Sequence, residues 1–139
     1  MKYHNRKNIK MKSLLIVIKE EFLSKGIALA LMDSFQSIHT TRNPFDAINI
    51  VKEEKINVVI TELGFETLDC NSYFKKLSSV ASKGTTVIVI KDGEMLLSEL
   101  LSDININIII QQKPISVTNI NNLIKSLKEN TIQLNKGEK

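Results

Sequence analysis

Glu62 closes the run Val58-Val59-Ile60-Thr61, so a carboxylate stands at the end of a strongly apolar stretch. Three lysines occupy similar points. Lys19 follows Leu14–Ile18, Lys91 follows Thr86–Ile90, and Lys113 follows Ile104–Gln112 and precedes Pro114. A carboxylate accepts hydrogen bonds, and those from an ammonium group are shorter and stronger than neutral ones. The other reactive types are sparse. Cys70 is the sole cysteine, which cannot form an internal disulfide and suits a reducing compartment. It reads as packing rather than a nucleophile. His39 is isolated in a strand-like segment, and His4 lies among basic residues near the start. No Cys, His and Asp cluster has metal-ligand spacing. None of the five glycines follows the first apolar run as a phosphate-cradling G-x-G-x-x-G would.

The elements that must hold these groups alternate in kind. Leu14–Ile18 is a continuous apolar run, as expected of a strand covered on both faces. Residues 20–32 then place Phe22, Leu23, Ile27, Ala30 and Leu31 at helical spacing. A short strand over Ser37–Thr41 precedes Asn43-Pro44, where Asn suits a helix N-cap and Pro the first helical position. Phe45, Ile48, Ile50 and Val51 supply that helix's apolar face. A third strand lies within Asn57–Leu63. The third helix, over Asn71–Ala81, turns Tyr73, Phe74, Leu77 and Val80 inward.

The rhythm repeats from Lys83-Gly84. Thr85–Ile90 is a β-branched run suited to a central strand. Glu94–Leu101 reads as a short helix, Ile104–Gln112 as the fifth strand, and Ser116 caps a last helix bearing Ile120, Leu123, Ile124 and Leu127. Five strands alternating with five helices predict an α/β sandwich: a five-stranded parallel sheet, order 2-1-3-4-5, with helices on both faces. In this flavodoxin-like arrangement the ligand crevice opens at the carboxyl ends of the strands.

Composition sets the outer bounds. The chain has 139 residues, 42% hydrophobic and 24% charged, enough for a single domain with a core. The formal charge of +4 is concentrated at the start: Lys2, Arg6, Lys7, Lys10 and Lys12 precede any acid, leaving the rest near −1. Residues 1–12 are therefore expected as a basic disordered leader, 13–130 as the folded domain and 131–139 as a polar tail. Direct nucleic-acid binding is not expected of the folded part. No apolar stretch approaches the ~20 residues of a membrane span, and no secretory signal is evident, so a cytoplasmic protein is expected.

Lys113-Pro114, placed after a fifth apolar strand, resembles the last strand of response-regulator receiver (CheY-like) domains. The Phe22-Leu23-Ser24-Lys25-Gly26 stretch resembles the first helix of the subfamily that often precedes helix-turn-helix DNA-binding domains. The resemblance covers residues 13–128. It implies that Glu62 stands at the phosphoacceptor aspartate position, Ile18 and Lys19 at the acid pair that helps hold Mg²⁺, Lys91 at the Thr/Ser position, and Ile110 at the switch aromatic. A slip of one residue would put Glu20 in the second acid position. Lys113 and Pro114 alone keep the receiver residues. Mg²⁺ prefers carboxylate and water oxygens, which Ile18 and Lys19 do not offer.

The function this implies is a pseudo-receiver: a non-enzymatic signalling module of two-component type, with no cofactor or metal, acting through phosphorylation-independent protein–protein contact. In this register Lys19, Lys91 and Lys113 surround Glu62, which should accept a charge-assisted contact from Lys113 or Lys91. The expected partner or homodimer face is the fourth helix, fifth strand and fifth helix, with Met95 or Leu96 exposed. Two alternatives stay open. One is a receiver or flavodoxin-like domain whose crevice still takes a phosphoryl group or small ligand. The other is the regulatory fragment of a DNA-binding response regulator.

Overall fold

A computed structural model of the chain describes residues 10–66, 68–91 and 106–137, with side chains as far as residue 129. The described elements run β1 (Met11–Val17), α1 (Glu21–Leu31), β2 (Phe35–Thr41), α2 (Pro44–Glu53), β3 (Val58–Glu62), α3 (Cys70–Val80), β4 (Thr86–Lys91), β5 (Asn107–Gln112) and α4 (Val117–Gly137). The strands form one sheet in the order β2-β1-β3-β4-β5, with every neighbouring pair parallel. This is the predicted doubly wound topology. Its three inner strands carry the near-continuous apolar runs, because a strand buried on both faces has no solvent side to make polar.

Alternate side chains of each strand point to opposite faces, so a single run supplies two cores. Leu15, Val17, Val59, Val87 and Val89 face α2 and α3, meeting Ala47, Val51, Phe74 and Leu77. Leu14, Ile16, Ile18, Ile60, Ile88 and Ile90 face α1 and α4, meeting Ile27, Leu31, Ile120 and Ile124. Burying one such side chain fully is worth about 1.5–3 kcal/mol. The sheet is therefore fixed from both sides, and the strand ends that carry Lys19, Glu62, Lys91 and Lys113 stand on a rigid platform.

Helix starts follow local chemistry. Asn43 accepts a hydrogen bond from Phe45 N at 2.8 Å, and Pro44 begins α2 as expected. Asp69 caps α3 by accepting from Ser72 N at 2.8 Å. That bond is the main reason its carboxyl lies below the usual aspartate range. Glu20 accepts from Phe22 N and Leu23 N at the start of α1, so both its oxygens are used as a cap.

Several expectations are corrected. β1 starts at Met11, inside the segment read as leader, because Met11 N donates to Ser34 O and Met11 pairs with Phe35. β2 likewise begins two residues early, at Phe35. The last helix continues to Gly137 rather than ending near residue 130; the sequence there holds no proline or glycine before Gly137. On α1, Phe22 is 84% exposed while Ser24 is buried, and on α2 Phe45 is exposed while Ala47 is buried. Ser24 shares the buried stripe of Ile27 and Leu31, and Ala47 that of Pro44 and Val51; Phe22 and Phe45, two residues earlier, fall on the opposite side of each helix. The segment Glu94–Leu101, with Met95 and Leu96, lies outside the described residues, as do residues 1–9 of the basic segment.

Candidate functional site

The carboxyl ends of β1, β3, β4 and β5 converge on Glu62. β3 places it in register with Ile90 of β4, and Thr61 before it pairs with Val17 of β1. Two residues past that pairing, before α1 begins at Glu21, Lys19 N donates to Glu62 Oε1 at 2.7 Å. On the other side Lys113 N donates to Lys91 O at 2.8 Å, extending the β4–β5 ladder one residue beyond Gln112. This brings Lys113 Nζ to 2.8 Å from Glu62 Oε2. The Glu62 side chain is 7% exposed and that of Lys113 33%. Both carboxylate oxygens thus have protein donors, one main-chain and one cationic.

The remaining sequence candidates take different places. Ile18 is wholly buried and belongs to the apolar cluster with Ile16, Ile60 and Ile90. Lys19 turns its ammonium away from Glu62 to donate to Gly64 O, while its own carbonyl accepts from Arg42 Nε at 2.9 Å. Among the described residues Glu62 pairs with Lys113 and not with Lys91. Lys91 contributes its carbonyl to the site's frame. The Lys113–Pro114 peptide is cis. Ile110 lies on the edge strand opposite Val89, at 41% exposure.

A second polar pair sits beneath the site and was not anticipated as such. Thr61 Oγ1 lies 2.8 Å from Tyr73 Oη, both residues fully buried, and Thr61 Oγ1 also donates to Glu62 O at 2.8 Å. Burial raises the Tyr73 phenol well above its ordinary value, partly opposed by the Thr61 bond. Phe65 closes over Tyr73 edge-to-face at 5.4 Å. A threonine within an apolar strand run was the available signal, since a buried hydroxyl requires a partner. Cys70 donates its thiol to Leu63 O at 3.1 Å. Burial, then the charge of Asp69, pushes that thiol up, away from a reactive thiolate. A cleft of about 480 Å³ opens beside Lys19, lined by Arg42, Asn43, Pro44, Phe65 and Glu66.

No family model matches the sequence, and no curated protein matches it. Solved structures do match. A receiver domain protein (CheY-like) from Methanospirillum hungatei superposes with a TM-score of 0.72 at 15% identity, covering 92% of this chain and 99% of that one. The fold is that of response-regulator receiver domains. A chain described as adenylate cyclase from Rhodopirellula baltica matches with TM-score 0.72 at 14% identity, over 94% of this chain and 96% of its own. One described among redox sensors in the streptococci that evolved from two-component response regulators matches with TM-score 0.71 at 13% identity. That match covers 91% of this chain and 55% of the other. At these identities the likeness establishes the receiver fold and nothing finer.

Proposed function

We propose that this receiver-fold chain is a signalling module that acts through protein–protein contact without being phosphorylated. The observation that carries this reading is the double engagement of Glu62, held by Lys19 N and Lys113 Nζ at 2.7 and 2.8 Å in a nearly buried position. Transfer of a phosphoryl group to a carboxylate oxygen needs that oxygen free to attack and a cation to neutralise the incoming charge. Here the cation beside the carboxylate is the Lys113 ammonium, and Lys19 and the buried Ile18 set no second carboxylate there to hold a metal. The extra methylene of glutamate also moves an acyl phosphate away from where an aspartate would hold it, and reacting geometries tolerate such displacement badly.

The residues present do not fit the divalent metal that the receiver fold implies. Beside Glu62 stand a buried isoleucine and a lysine, and the nearby Glu20 is committed to capping α1. Hard cations need several oxygen ligands. The Lys113 ammonium supplies the positive charge instead, so the site is fixed in one arrangement and output depends on whom the domain meets. The partner face of this reading is β5 with α4, where Ile110 is exposed. The partner is a protein of the same signalling pathway.

The test is incubation with Mg²⁺ and a small phosphodonor such as phosphoramidate, read by intact mass and by amide shifts around Glu62. An unmodified protein with unmoved resonances is expected. A stable phosphoryl adduct mapped to Glu62, or Mg²⁺-dependent shifts at residues 18–20 and 62, overturns the reading.

A further inference from the structure

We infer that the chain forms a two-fold homodimer through the free edge of β2 and the outer side of α1. This goes beyond the signalling reading and does not depend on the Glu62 site. Among the described residues β2 ends the sheet and pairs with β1 alone. Its seven residues, Phe35-Gln36-Ser37-Ile38-His39-Thr40-Thr41, include no lysine, arginine, acid or proline, and its histidine, His39, lies with Nε2 3.4 Å from Glu54 Oε2. Soluble proteins ordinarily blunt such an edge with charge, proline, a bulge or a covering element, since its unpaired backbone groups template another strand.

The helix beside that edge is equally unguarded. Leu29 is 68% and Met32 55% exposed, and Phe22 continues the row toward the start of α1. Between helix and edge runs a groove of about 470 Å³, lined by Lys25, Ala28, Leu29, Met32, Ile38 and Thr40. The charge in this row, Lys25, is paired with Glu21 of the same helix at 3.1 Å.

A second copy satisfies both features at once. Antiparallel pairing of β2 with β2 about Ile38, the middle of the strand, sets Ile38 opposite Ile38 and Ser37 opposite His39, so no two lysines, arginines or acids of the strand face each other. The axis of such a pair is perpendicular to the sheet. It therefore leaves both α1 helices on the same face, each bringing Leu29 and Met32 toward the other's groove. An isologous interface requires this self-complementarity. The result doubles the five-stranded sheet into one continuous sheet across the two molecules. The opposite edge, β5, stays available to a different protein.

Sedimentation equilibrium of the full chain over a wide concentration range tests this, alongside Leu29→Glu/Met32→Glu. Both substituted positions are exposed, so the fold should be kept, as circular dichroism and thermal melting would verify. The wild type is expected to be a dimer, with hydrogen exchange slowed at β2 amides as concentration rises. The double variant should weaken association at least about tenfold, and Ile110→Glu on the far edge should leave it unchanged. A wild-type monomer at every concentration, a dimer indifferent to the double variant, or a dimer broken by Ile110→Glu each overturns the inference. Should the double variant unfold, Thr40→Lys, at an exposed edge position, takes its place with the same expected loss.

Discussion

Substituting Glu62 by glutamine isolates the charge of the site with little change of shape. The amide oxygen can still accept from Lys19 N, now at 2.7 Å from Oε1. The amide nitrogen must then face Lys113 Nζ, replacing an acceptor by a donor at the 2.8 Å contact. A hydrogen bond to a charged group contributes about 1.5–3 kcal/mol. The Lys113 side chain is a third exposed and can turn its ammonium into water, which recovers part of the loss. The expected net cost is about 1–2 kcal/mol. For a chain of this size that corresponds to a fall in Tm of about 3–10 °C. Urea melts with an unchanged m-value would confirm that stability moved and not the compactness of either state. Lys113→Met should cost a similar amount, and the two together less than their sum, by about 1 kcal/mol or more. If Glu62→Gln is neutral or stabilising, or the pair is additive, the two side chains are not coupled and the charge-substitution argument fails.

Two further expectations follow from the core around the site. Ile18→Asp, placing an acid where a receiver carries one, should destabilise by about 3–5 kcal/mol, because it removes a buried apolar side chain and desolvates a carboxyl. A variant as stable as wild type that gains Mg²⁺ affinity in calorimetry contradicts the placement of Ile18 in the apolar cluster. Tyr73 holds its proton more tightly folded than unfolded, so the folded state binds more protons above the ordinary phenol range. Its contribution is present in full below about pH 10 and declines as pH rises beyond that value. Tyr73→Phe should flatten this alkaline limb while costing about 1 kcal/mol near neutrality through the lost Thr61 bond. Denaturant melts from neutral to alkaline pH check both, and an unchanged limb in the variant assigns the effect to another group.

Hydrophobic patterning by itself determined the sheet. Continuous apolar runs at Leu14–Ile18, Val58–Ile60 and Thr86–Ile90 can only be satisfied by burial on both faces, and the helical segments between them force parallel crossovers. It also put Glu62, Lys91 and Lys113 at strand ends, since a charge stops a buried strand wherever it falls. Local chemistry was equally readable at Asn43-Pro44, where cap and first turn are set by adjacent residues. Which lysine meets Glu62 was not. Lys91 and Lys113 both stand near the β4 and β5 ends, and their backbones are bonded to each other. Only the three-dimensional placement of the edge strand aims one ammonium and not the other. The same holds for Lys19, which reaches Glu62 through its main-chain nitrogen while its side chain goes to Gly64. On α1 and α2 the apolar residues wrap too much of the helix for periodicity to choose a face. Ser24 and Ala47 lie inward and Phe22 and Phe45 outward because the stripes Ser24-Ile27-Leu31 and Pro44-Ala47-Val51 are the ones packed on the sheet, a choice made by tertiary contact.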